Sequence, residues 1–106
     1  MVTVEEIFAA MPAKLDTEKA AGLDLTIAFD LSGDQATQKT LVISDGVATI
    51  EEGLKDDADA TLIMDGADYA AMATGELNPM TAFMTGKVKV EGDLGSVMKM
   101  QGIFDD

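Results

Sequence analysis

With 106 residues, 47% of them hydrophobic, the chain fits one small globular domain spanning residues 1–106, with about 65% of its unfolded surface to hide on folding. It contains no cysteine, histidine or arginine, which excludes thiol nucleophiles, disulfides, imidazole or thiolate metal sites and bidentate capture of phosphate. A net charge of −13 repels nucleic acid and anionic lipid surfaces, so nucleic-acid binding is excluded as a function class.

No apolar run approaches the ~20 residues that cross a bilayer. The start, Met1-Val2-Thr3-Val4-Glu5-Glu6, is acidic where a secretory signal is basic, and a cytoplasmic location is expected.

Thr3 and Glu6 form a capping box, and Val4, Ile7, Phe8 and Met11 fall at amphipathic spacing, so a helix is predicted over residues 4–15. Pro12 should break it, leaving residues 16–21 as a short turn closed by Gly22. From Leu23 the period changes to two, which predicts a strand over 23–31. Ser32-Gly33-Asp34-Gln35 is turn chemistry, and a second strand is predicted over 40–44. Asp45-Gly46 then signals a tight hairpin into a third strand over 47–51.

Residues 52–59 are polar and aperiodic, a surface connection. A fourth strand follows at 60–64, and Asp65 caps a helix with Tyr69, Met72 and Ala73 on its apolar side, ending at Gly75. Asn78-Pro79 starts another helix that Gly86 closes. Val88 and Val90 point inward from a fifth strand over 87–91, and Asp93 caps a final helix with Leu94, Val97, Met98, Gln101 and Phe104 on one side. Helices segregated to one face of a mainly antiparallel sheet, an α+β fold, is the economical architecture for this order.

Few residues carry chemistry. Asp30-Leu31-Ser32-Gly33-Asp34 lacks the glycine and the closing glutamate of a calcium loop, and Asp56, Asp57 and Asp59 read as a solvated loop. Tyr69 beside Asp68 reads as a packed ring, so no enzyme activity is expected. The eight methionines, six of them after residue 63, suit either an adaptable cavity or a gap-filled core.

The segment from Leu77 to Asp93, with its asparagine-proline helix start, lysine-flanked strand and Gly92-Asp93 cap, resembles the sterol carrier protein 2 domain, the non-specific lipid-transfer domain. The likeness extends to Asp59–Met64, Met98–Gln101, Lys19–Leu23 and the strand end Phe29–Gly33. It implies a five-stranded mixed sheet in the order 3-2-1-4-5, with helices over one face and a hydrophobic tunnel between the layers. It also implies non-catalytic binding and carriage of fatty acid, fatty acyl-CoA, sterol-like or phospholipid ligands, with no cofactor and no metal.

On that resemblance the helix residues Met72, Met80, Phe83, Met84, Val97, Met98, Gln101 and Phe104 become candidates for the tunnel wall. The strand residues Ile27, Phe29, Leu41, Ile43 and Leu62 complete the lipid-binding set. The alternative is an accessory module that presents a lipid to a partner enzyme or has lost its cavity, the partner protein being unspecified. Many members of the family are basic, whereas this chain is strongly acidic and lacks a Ser-Lys-Leu-like ending, so at most transient membrane contact is expected.

Overall fold

The structure, a computed structural model, describes residues 3–103, and of Gln101 the backbone alone. The amphipathic start forms α1 (Val4–Ala10), capped by Thr3, whose hydroxyl accepts the Glu6 amide. Pro12 ends the α-helix where expected, and Met11–Lys14 continue as a 3-10 turn. The next turn is a short helix, α2 (Thr17–Ala20), with Asp16 as its cap.

The strands are β1 (Leu25–Ser32), β2 (Thr37–Ser44), β3 (Val47–Glu52), β4 (Ala60–Asp65) and β5 (Val88–Gly92). They form one sheet in the order β3-β2-β1-β4-β5. Pairing is antiparallel except between β1 and β4, so the connection at residues 53–59 carries the chain across to a parallel strand. Asp45 and Gly46 both hold positive φ, 52° and 79°, as the tight hairpin turn requires.

Two strand starts differ from the sequence expectation by more than one residue. β1 starts at Leu25 rather than 23, and β2 starts at Thr37 rather than 40. The polar triplet Thr37-Gln38-Lys39 pairs with Leu31, Asp30 and Phe29. Lys39 points under the helices, where its ammonium meets Glu52 and, at 3.4 Å, Glu5. The hydrogen bond to Glu52 and the charge of Glu5 hold its pKa above the ordinary amine value, against the opposing effect of burial.

The remaining helices are α3 (Gly66–Ala73), α4 (Pro79–Met84) and α5 (Leu94–Gly102). One row of the sheet runs Lys39, Phe29, Leu62, Val90. It passes from the ion pair beside α1, through the aromatic centre of the core, to the edge near α4. Phe29 lies edge-on to Phe8 at 5.2 Å and to Tyr69 at 5.5 Å, which locks β1, α1 and α3 together.

On the reverse face of the sheet one spot is buried. Ala28 and Thr40 are fully buried there, and the Thr40 hydroxyl donates to the carbonyl of Gly53 at 2.7 Å, where the crossover begins. At its other end Asp59 accepts the Thr26 amide on its carboxylate and donates its own amide to Thr26 O. Among the described residues no group of three or more acids is placed to hold a metal ion.

Tyr69 is 7% exposed, and burial pushes its phenol well above its ordinary value of 10.0. The folded state therefore keeps the proton where the unfolded chain loses it. Stability is full below pH about 10 and falls above it, with this residue contributing up to about 1.4 kcal/mol per pH unit. Tyr69→Phe should remove that share of the slope in urea titrations between pH 9 and about 11.5, and an unchanged slope would contradict the burial argument.

Candidate apolar binding site

The site lies at the β4–β5 edge of the sheet, between strands and helices. Leu62, Val88 and Val90 form its floor; Met72 of α3, Pro79, Met80 and Phe83 of α4, and Leu94, Val97 and Met98 of α5 form its walls. The concavity has a volume of about 130 Å³ and opens to solvent along its rim, and no lining side chain is titratable.

Local chemistry fixes the walls. Asn78 caps α4 by accepting the amides of Met80 and Thr81 at 2.9 and 3.2 Å, and Pro79 sits in the first turn where its missing N–H costs nothing. α4 rests on β5, and Ala82 is its buried contact. Asp93 caps α5 by accepting the Gly95 amide and the Ser96 hydroxyl, both at 3.0 Å.

Gly92 closes the floor. At φ 91° a Cβ there would stand 2.6 Å from Asp59 O, so only glycine lets β5 approach the start of β4 this closely.

The rim is exposed. Met80 is 61% accessible, Phe83 44%, Leu94 41% and Met98 60%, with Met84 beside them at 77%. Large apolar side chains at such exposure around one concavity are unusual, since solvent-facing apolar patches mark binding surfaces. α4 and α5 contain no acidic residue, and Lys99 is their only charge, in a chain with 20 acids.

Of the candidates read from the sequence, the structure brings Leu62, Met72, Met80, Phe83, Val97 and Met98 to this one pocket. It places Ile27, Phe29, Leu41 and Ile43 in the sealed core, each 1% exposed or less, where α1, α3 and α5 cover the sheet. Met84 lies outside the pocket lining, beside the rim. Phe104 lies outside the described residues, as does the side chain of Gln101. Pro79, Val88, Val90 and Leu94 were absent from the candidate set, although the alternation of β5 and the helical face of α5 already marked three of them as inward.

The profile of the SCP-2 sterol transfer family matches residues 4–105. The chain belongs to that family. The SCP-2 fold is shared with sterol carrier protein 2 from Yarrowia lipolytica in its apo form, at 25% identity and a TM-score of 0.67 over 90% of this chain and 81% of that one.

The chain also superposes on part of a stereoselective inverting sec-alkylsulfatase from a Pseudomonas species, with a TM-score of 0.85 and 28% identity. That match covers 99% of this chain and 17% of the sulfatase. Hydroxysteroid dehydrogenase-like protein 2 of Xenopus tropicalis is 31% identical over 102 residues, 95% of this chain and 24% of that protein. The chain thus spans about a quarter or less of these two longer proteins.

Proposed function

We propose that residues 1–106 act as one lipid-binding unit that carries an acyl chain or sterol-like molecule in this pocket without transforming it. The observation that carries this reading is a concavity lined by apolar side chains, with a solvent-exposed apolar rim, in a member of the SCP-2 sterol transfer family. Such a wall can hold a ligand by burial and offers no polar side chain with which to discriminate. Fatty acids, fatty acyl-CoAs, phospholipids and sterol-like molecules therefore compete for it.

Magnitudes set how the ligand must lie. An apolar cavity of about 150 Å³ takes one benzene, so this pocket, at about 130 Å³, encloses about six carbons. At ~0.8 kcal/mol per buried methylene that is about 5 kcal/mol before any cost of association, short of the ~8 kcal/mol of a micromolar complex. A micromolar ligand must therefore run on across the rim, over Met80, Phe83 and Met98, or lift α4 from β5.

A second reading is that the unit presents its lipid to a partner enzyme. The two enzyme-named relatives in which the matching segment is 24% and 17% of the whole favour it. A cytoplasmic setting suits a cysteine-free chain, and no helix of the described residues is long and apolar enough to cross a membrane. Contact with a bilayer would be transient, made through the acid-free α4 and α5.

The reading is tested by titrating the protein with a fluorescent fatty acid and displacing it with chemically unrelated lipids. Micromolar or tighter binding with displacement by several of them is expected. Failure of every acyl and sterol probe to bind removes the proposal.

A further inference from the structure

Six of the described methionines fall into two groups by exposure, and Met72, in the pocket wall, lies between them. Met80 and Met98 line the pocket mouth and Met84 lies beside them on α4, all 60–77% accessible, whereas Met11, Met64 and Met100 are at most 8% accessible in the core. The chain has no cysteine, so thioethers are its sole sulfur groups and no thiolate on the same chain intercepts an oxidant first.

We propose that Met80, Met84 and Met98 form an oxidation-sensitive rim, whose conversion to sulfoxides by a peroxide closes the pocket to apolar ligands. The inference rests on the lipid-binding reading above. In the step, a sulfur lone pair attacks one peroxide oxygen, the O–O bond breaks and an S–O bond forms. The thioether loses two electrons and hydrogen peroxide leaves as water. A thiol-dependent sulfoxide reductase reverses it, two thiols giving a disulfide and water as the sulfur regains its electrons.

The consequence follows from where the new oxygen stands. A sulfoxide is a strong hydrogen-bond acceptor that keeps its hydration, and a ligand crossing the rim must either strip that water or lose its contact there. As the interior alone holds about six carbons, losing the rim removes the part of the site that brings binding into the micromolar range. The buried methionines leave the core unchanged, so the fold survives the modification.

The test exposes the full chain to graded hydrogen peroxide, maps the added oxygens by peptide mass spectrometry and titrates the fluorescent fatty acid at each stage. Oxygen is expected on Met80, Met84 and Met98 before Met11, Met64 or Met100. Probe affinity should fall at least tenfold with the circular dichroism spectrum retained, and sulfoxide reductase should restore it.

A Met80→Leu, Met84→Leu, Met98→Leu variant should keep after peroxide whatever affinity it had before. Unchanged affinity in the oxidised protein, or core methionines oxidising first, overturns the inference. An untreated protein that binds no probe overturns the lipid-binding reading instead and takes this inference with it.

Discussion

Replacing Phe29 by Ala is expected to cost about 3–5 kcal/mol, a large share of the ~5–15 kcal/mol by which a domain is stable. The ring is fully buried, meets Phe8 and Tyr69 at 5.2 and 5.5 Å, and sits where α1, β1 and α3 converge. Its removal opens a cavity that three separate elements would have to collapse to fill. Phe83→Ala should behave oppositely: its ring is 44% exposed, so stability changes by about 1 kcal/mol or less while probe affinity falls several-fold. Urea midpoints paired with probe titrations separate the two, and equal losses of stability would mean that Phe83 is a core residue.

The largest expected effect on binding comes from filling the pocket. Val90→Trp places an indole over the floor, in a space of about 130 Å³ that matches one aromatic ring. Overpacking a closed core costs about 1–3 kcal/mol, but this site is open along its rim and the ring can settle outward, so the cost should lie at the low end. Affinity for the fatty acid probe should drop at least tenfold, about 1.4 kcal/mol. A variant that folds and binds as before would place the ligand elsewhere.

These contrasts show how far the sequence could be read. Period-two alternation located the strands, and the caps Thr3, Asp65, Asn78 and Asp93 located helix starts, because both signals are local. The first half of β2 was invisible for the opposite reason. Lys39 is an inward-facing cation made tolerable by Glu5 and Glu52, which come from other elements, and no window around residue 39 contains either.

The site was legible only in part. Ile27, Phe29 and Leu62 all face the helices, and nothing in their spacing separates them. What separates them is the packing above: α3 and α5 pack on β1 and Phe8 of α1 meets Phe29, whereas the six-residue α4 leaves the β4–β5 edge underfilled. Underfilling is a property of facing elements, and one strand's pattern does not contain it.

The lipid-pocket account is tested most directly by following methyl resonances while a fatty acid is added to the isotope-labelled protein. It predicts shifts concentrated on Leu62, Val88, Val90 and Val97, with Ile27, Leu41 and Ile43 nearly still. Shifts confined to those three core residues, or none at saturating fatty acid, would contradict it.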